Sequence, residues 1–328
     1  MNKNNVTREQ ISFKKPWHKD WVKIFLIVLL LSNLATIGIL INKNKLAKQL
    51  QEAKKYPLLD FSRNFIDQDN FLSSIEPIRK SMKEAVAKYE AQGNRISVYF
   101  EFLNTGANIS INQEERFWPA SLSKMPTALA VMKKVENGEW KLSNELVLFA
   151  EDQDSRFGDI YLKTPGTRFT IEELLKETLI NSDNTAHKIL VRNLSSEDYT
   201  KSFEALGLEE LYDDNYDITA KEYSRIFRAL YSASYLNRDN SQKLLSWLTQ
   251  TSFDEFIGSG IPTTTLFAHK IGEEYKEVVF LDSGIFYVAG RPCLITVMAE
   301  VKDGGGVGSA QKIMGELSKI AYDYVANK

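Results

Sequence analysis

The sequence predicts an α/β fold: an antiparallel sheet flanked by helices, with a mostly helical central region, preceded by a transmembrane helix. Two observations predict the domain and a third predicts the helix. Runs rich in β-branched and aromatic residues fall at 96–102 and again between 263 and 301, while the pattern over 121–248 is helical. Strands that far apart in sequence, separated and followed by helices, pair most simply in one sheet with helices packed on it. At the amino terminus, positions 24–41 pass without a single charge.

In chain order the apolar run comes first, interrupted only by Ser32, Asn33, Thr36 and Gly38. With Trp21 and Val22 it spans roughly 30 Å at about 1.5 Å per residue, one hydrocarbon thickness. A core helix seldom lacks a polar face for so long. Asn42-Lys43-Asn44-Lys45 follows, with neither a small-residue cleavage site nor a cysteine to take a lipid. The expected organisation is a cytoplasmic tail over 1–21, an anchor over 22–41, a polar stalk over 42–70 broken at Pro57, and a folded domain over 71–328. Six Lys/Arg precede the span and five follow closely. The large domain beyond it, more than this slight asymmetry, favours an amino terminus inside.

A helix is expected over 71–91, ended by Gly93-Asn94. Next come two strands, at 96–102 and 108–112, joined through Asn104-Thr105-Gly106 as a hairpin. Late strands are expected at 263–269, 278–281, 285–288 and 294–301, with turns at Asp282-Ser283-Gly284 and Gly290-Arg291-Pro292. A closing helix spans 309–325. The Gly304-Gly305-Gly306 segment before it lacks the Gly-Lys-Ser/Thr of a phosphate loop and reads as a turn.

Composition removes whole classes of function. The 328 residues are 43% hydrophobic and 26% charged, typical of a folded chain. A formal charge of −2 gives no footprint for nucleic acid. The single cysteine, Cys293, cannot form an internal disulfide. With only His18, His187 and His269, neither a Cys/His zinc site nor an HExxH metalloprotease is available. No metal or cofactor is implied.

Three short motifs carry chemistry. Ser121-Leu122-Ser123-Lys124 puts a lysine three residues after a serine, so on a helix the amine reaches the hydroxyl. A serine hydroxyl attacks poorly until a base takes its proton, and a lysine lowered in pKa by burial can serve. The pattern also occurs at 12–15 and 309–312, so context matters: Pro119-Ala120 precedes Ser121, and a strongly apolar helix follows. Ser182-Asp183-Asn184 lies 61 residues further on, between two helical runs. A second hydroxyl there can relay a proton to a leaving nitrogen, and Asn184 can bond both a lysine and a substrate amide; alone, the triplet would be a helix cap. Lys270-Ile271-Gly272 follows a strand, and its glycine lets a substrate approach the sheet edge.

Together and in this order the three resemble the motifs of penicillin-recognising serine enzymes, Ser-x-x-Lys, Ser-x-Asn and Lys-Thr/Ser-Gly. Segments 121–148 (with Val135-Glu136-Asn137-Gly138-Glu139), 165–175 and 244–270 are similar to class A β-lactamases, and the resemblance covers about 71–328. It implies a β-lactamase/D,D-peptidase-like domain in which Ser121 attacks an amide or lactam carbonyl to give an acyl-enzyme. Lys124 would activate Ser121, Ser182 would protonate the leaving nitrogen, and Lys270 would tune Ser182 and attract the substrate carboxylate. Asn184 would hold the substrate, with Gly272 at the strand edge. The backbone N–H groups of Ser121 and Glu273 would form an oxyanion hole, worth about 3 kcal/mol per donor. Implied too are a β-lactam or peptidoglycan-peptide substrate and a bacterial single-pass protein whose catalytic domain lies outside the membrane.

Two departures bear on function. The second and third motifs are only 88 residues apart, and the missing length falls where the family carries a deacylating glutamate. Glu210, Asp213 and Asp214 are the nearby acids, more simply read as a solvated turn. Ile271 stands where the family has Thr or Ser and cannot donate a hydrogen bond. The missing glutamate makes slow deacylation the expectation, while Ile271, lacking the hydroxyl that helps bind the substrate carboxylate, points to a preference shifted toward a substrate without that carboxylate. A D-alanyl-D-alanine peptidase, an esterase and a silent peptidoglycan- or partner-binding descendant stay open beside the lactamase. His269, next to Lys270, is either a ligand contact or an ordinary strand-edge residue.

Overall fold

The structure, a computed structural model, describes residues 18–59, 75–208, 216–274, 276, 278–288, 290–302 and 305–327. It divides into two units, Met1–Lys55 and Tyr56–Lys328. In the first, helix α1 (His18–Lys55) is 38 residues long, about 57 Å of rise. Its apolar side chains face outward; Phe25 is 66% and Ile41 63% exposed. This helix is long and apolar enough to cross a bilayer. It also runs on through the segment read as a stalk, because residues 43–55 are mostly Lys, Leu, Ala, Gln and Glu, all good helix formers.

The second unit begins upstream of residue 71. Tyr56, Leu58 and Leu59 are buried in its larger core. Tyr56 donates to Asp239 at 2.8 Å, the Leu58 N–H to Gln242 at 3.1 Å, and Tyr287 to the Leu58 carbonyl at 3.0 Å. Helix α2 (Glu76–Glu90) and strands β1 (Arg95–Phe102) and β2 (Asn108–Ile111) follow as expected; residues 71–74 lie outside the described residues. Two short pairs were not anticipated: β3 (Arg116–Phe117) with β6 (Ile218–Thr219), and β4 (Glu145–Val147) with β5 (Arg168–Thr170).

The helical centre comprises α3 (Lys124–Glu136), α4 (Ile171–Ile180), α5 (Asn184–Arg192), α6 (Ser196–Leu206), α7 (Ala220–Ser232) and α8 (Arg238–Leu248). Its helices begin where the sequence places oxygen-bearing caps. Thr170, Ser195 and Thr219 form capping boxes with Glu173, Asp198 and Glu222, while Asp183 and Asn237 cap α5 and α8.

Strands β7 (Leu266–Glu274), β8 (Val279–Val288) and β9 (Arg291–Glu300) complete an antiparallel sheet of order β2-β1-β9-β8-β7, and α9 (Gly306–Ala326) closes the chain. The turn expected at 282–284 is absent: β8 runs straight through it. Asp282 accepts from the Ile257 N–H, and Ser283 Oγ pairs with Thr296 Oγ1 at 2.6 Å. At Gly284 a Cβ would lie 2.4 Å from both the Ala268 carbonyl and His269 Cβ, so glycine serves close strand approach. Likewise Arg291 and Pro292 open β9, leaving Gly290, at φ +71°, as the turn residue.

One sheet face packs on α2 and α9 through Phe280, Ile295, Ile313 and Leu317. The other packs on the helical centre through Tyr99, Leu281, Leu294 and Phe227. Strand β7 is an edge, and along it the candidate site forms.

Candidate active site

Ser121 lies in a single 3-10 turn, Ala120–Ser123, that leads into α3. Ala120 has φ +45°, a conformation that costs a non-glycine residue energy and that surrounding bonds must hold. The Leu122 N–H donates to the Pro119 carbonyl at 2.9 Å, Ser123 Oγ to the Ala120 carbonyl at 2.7 Å, and buried Tyr223 to the Leu122 carbonyl at 3.0 Å. From Lys124 to Met132 every residue of α3 is buried, so the helix is a rigid base. Strand β7 presses against this turn at Gly272, where a Cβ would stand 2.9 Å from the Pro119 carbonyl. The glycine thus lets the nucleophile's own turn approach the strand, rather than leaving space for a ligand as the sequence suggested. Glu273 follows on the same edge strand, where alternate N–H groups face away from β8.

Ser182 sits between α4 and α5 at φ +53°, a second non-glycine residue in the left-handed region. Its carbonyl accepts from Lys124 Nζ at 2.7 Å, and its Oγ lies 3.0 Å from Lys124 Nζ and 2.9 Å from Lys270 Nζ. Lys124 Nζ is also 2.8 Å from Ser121 Oγ and 2.7 Å from Asn184 Oδ1. The structure therefore brings Ser121, Lys124, Ser182, Asn184 and Lys270 into one hydrogen-bonded chain.

The donor count in that chain is informative. The Ser182 carbonyl and Asn184 Oδ1 can only accept. A neutral amine spends its two N–H bonds on them and turns its lone pair toward the serine hydroxyls. Neutrality is favoured: burial pushes the Lys124 amine down to about 7, against the pull of Asp183 and Asp154 and with the help of Arg156. Lys270 is also pushed well below its ordinary value, by burial first and the Lys124 charge second. Neighbouring His187 is pulled down to about 3 by burial, Lys124 and Lys270, and its Nε2 pairs with Thr127 Oγ1 at 2.9 Å.

The loop 153–160 contributes residues that the sequence did not single out. It is bonded directly to the Ser182–Asn184 segment. Asp183 accepts from the Ile160 N–H at 2.9 Å, and the Asn184 N–H donates to the Phe157 carbonyl at 3.1 Å. The Asp154 N–H donates to Thr185 Oγ1 at 2.9 Å, and Asn184 Nδ2 to Asp154 at 3.3 Å. Gly158 is obligatory, since its φ is +82° and a Cβ would fall 2.0 Å from the Asp183 carboxylate. Phe157 places its ring 6.0 Å from Lys124 Nζ. Only the Asp, Arg and Gly of Asp154-Ser155-Arg156-Phe157-Gly158 hinted at this loop, and nothing local says what they would touch.

Two further expectations resolve on the opposite face of β7. Ile271 is 3% exposed and belongs to the core shared with α2 and α9. His269 is 1% exposed, with Nδ1 2.9 Å from Asp282 and Nε2 3.5 Å from Asp254. It is a buried ion-pair partner, not a ligand contact. Glu210, Asp213 and Asp214 lie outside the described residues.

A chain whose nucleophile turn, Ser-Asp-Asn segment and lysine strand converge in this way has known counterparts. The model of a family described as the β-lactamase enzyme family matches residues 77–325. The chain belongs to that family. As a β-lactamase-family member it is a serine hydrolase, of the type that acts on amide and lactam bonds. β-Lactamase VEB-1 of Pseudomonas aeruginosa is 25% identical over 289 residues, 79% of this chain and 92% of that protein. D-alanyl-D-alanine carboxypeptidase DacF of Bacillus subtilis is 29% identical over 165 residues, 43% of this chain and 42% of that one. Among solved structures, PBP-A superposes with TM-score 0.69 at 18% identity, covering 76% of this chain and 97% of its own. A β-lactamase of Sphaerobacter thermophilus gives 0.69 at 22%, covering 76% and 98%. These likenesses establish the β-lactamase-like fold.

Proposed function

We propose that this β-lactamase-family member is a membrane-anchored acyl-transferring hydrolase that forms an acyl-enzyme on Ser121 and releases it slowly. One observation carries the reading: the Lys124 amine, its two N–H bonds taken by acceptor-only oxygens, meets both Ser121 Oγ and Ser182 Oγ. Neutral Lys124 takes the Ser121 proton as Oγ bonds to the carbonyl carbon. The proton passes through Ser182 to the leaving nitrogen as the C–N bond breaks, and Lys270 holds Ser182 from the other side. The N–H groups of Ser121 and Glu273 face the developing oxyanion, and Asn184 orients the acyl half of the substrate.

Slow release follows from what surrounds the ester. Among the described residues Ser121 Oγ has Lys124 as its hydrogen-bond partner and no carboxylate. Only residues 207–217 separate α6 from β6, where the family's deacylating glutamate would lie. The substrate is a β-lactam or a peptidoglycan peptide. The likeness to a D-alanyl-D-alanine carboxypeptidase favours the peptide as the natural one. Helix α1 anchors the chain with its amino terminus inside and the catalytic domain outside the membrane.

The test is intact-mass analysis of the detergent-solubilised chain with excess benzylpenicillin. A persistent adduct, absent in Ser121→Ala, is expected. Rapid penicillin loss without an adduct refutes slow deacylation; neither adduct nor turnover refutes the nucleophile assignment.

A further inference from the structure

The loop 153–160 carries an arginine beside the Ser182–Asn184 segment. Arg156 points two of its nitrogens back at Asp154: Nε donates at 3.0 Å and Nη2 at 2.7 Å, a bidentate fork. Among the described residues Nη1 makes no hydrogen bond, and the side chain is 72% exposed. The fork is tied to the site through Asp154, which is 7% exposed, bonded through its backbone to Thr185 and through its carboxylate to Asn184. Charge does not cancel here. The single Asp154 carboxylate is shared by Arg156 and by Lys188 at 3.1 Å, leaving the cluster with one net positive charge. On strand β7, Lys270 is fully buried against Ser182 and the Ile271 side chain presents no donor.

We infer that Arg156 is a specificity-determining residue that binds an anionic group on the acyl half of the substrate, the half Asn184 orients. This rests on the acyl-enzyme reading above and adds the substrate's charge: the preferred amide or lactam carries a carboxylate on its acyl side chain, in addition to any on the leaving side. The free Nη1 edge, pre-positioned by Asp154, supplies the hydrogen bond and loses little side-chain freedom on binding. Glu274, at the end of β7, is the competing anion. It lies within electrostatic reach of Arg156 and helps hold the guanidinium charged, after the larger effect of Asp154. A substrate carboxylate must displace that attraction.

A pair of penicillins isolates the effect. Carbenicillin differs from benzylpenicillin by a carboxylate on the acyl side chain, and both share the carboxylate on the leaving side. Equilibrium affinities are measured by calorimetry on the full-length Ser121→Ala chain, and acylation rates by intact mass on the otherwise native chain. Carbenicillin is expected to be preferred in both. Arg156→Ala should abolish the preference, a change of roughly ten- to a hundredfold, the worth of a hydrogen bond to a charged group. Arg156→Glu should invert it, Arg156→Lys should retain part, and Glu274→Gln should enlarge it. Equal values for the two penicillins, or a preference that survives Arg156→Ala, overturns the inference. The two proposals fail separately. Equal acylation by both penicillins leaves Ser121 as nucleophile and removes Arg156. A differential affinity lost in Arg156→Ala, with no adduct on the native serine, keeps Arg156 and removes the acyl-enzyme.

Discussion

Lys270 and His269 are neighbours on β7, 2% and 1% exposed, and alternation sends them to opposite faces of the sheet. Their surroundings treat the same kind of group in opposite ways. Lys270 meets the Ser182 hydroxyl, a backbone carbonyl and a second lysine, and burial pushes its pKa well below the ordinary lysine value. For His269, burial also works against the charge, but Asp282 and then Asp254 overcome it and raise the imidazole to about 9. Depth of burial is equal; the sign of the partners differs. One face disfavours the charge of a buried amine, and the other keeps an ion pair that fastens the segment 254–257 to the strand.

The largest effect expected on the reactive face is from Lys124→Ala, which should slow acylation by about 10²–10⁴-fold, the usual contribution of a general base. Stopped-flow or intact-mass rates check it, and an unchanged rate would move the base elsewhere. Next, the two faces should separate when each is perturbed. Asp282→Ala leaves the His269 charge without its nearest partner and should cost about 3–5 kcal/mol by denaturant unfolding. Lys270→Met should cost less than about 1 kcal/mol, because no opposite charge is stranded, while lowering acylation. Equal destabilisation by both would erase the contrast. Away from β7, Leu58→Ala should cost about 2 kcal/mol, showing that the segment after α1 belongs to the folded domain; no loss would restore it to a linker.

The pH profiles should run in opposite directions. Lys124 acts as a base when neutral, so acylation rises as pH passes about 7. His269 has a raised pKa, so its contribution to stability is complete below 6.5 and is lost as pH climbs through about 9. Melting temperature against pH, in the native chain and in His269→Asn, should show this decline in the first and not in the second. It is the smallest of these effects.

Much of the fold was legible because its signals are local. The uncharged run of α1, the cap character of Ser182-Asp183-Asn184 and the β-rich ends each depend on a few adjacent residues. The Ser121 and Lys124 pairing was legible for the same reason, since a helical turn alone brings residues three apart together. The meeting of Ser182 and Lys270, 88 residues apart, could be expected only from their resemblance to known motifs in order.

Local signals failed where distant partners decide the outcome. Asp282-Ser283-Gly284 has turn composition, yet Ile257, Thr296 and the close approach of β7 hold it as strand. Gly272 reads as room for a ligand until Pro119 is found occupying that room. Asp154 looks like loop polarity until Asn184, Thr185 and Lys188 close around it. By itself the sequence determined the membrane-length helix, the layered architecture and which side chains are the candidates for the site, because short-range geometry and side-chain chemistry suffice for these. The lowering of Lys124 and Lys270, the raising of His269 and the tie of Asp154 to Asn184 were decided by tertiary structure alone, because protonation and orientation depend on charges and acceptors brought together from remote parts of the chain.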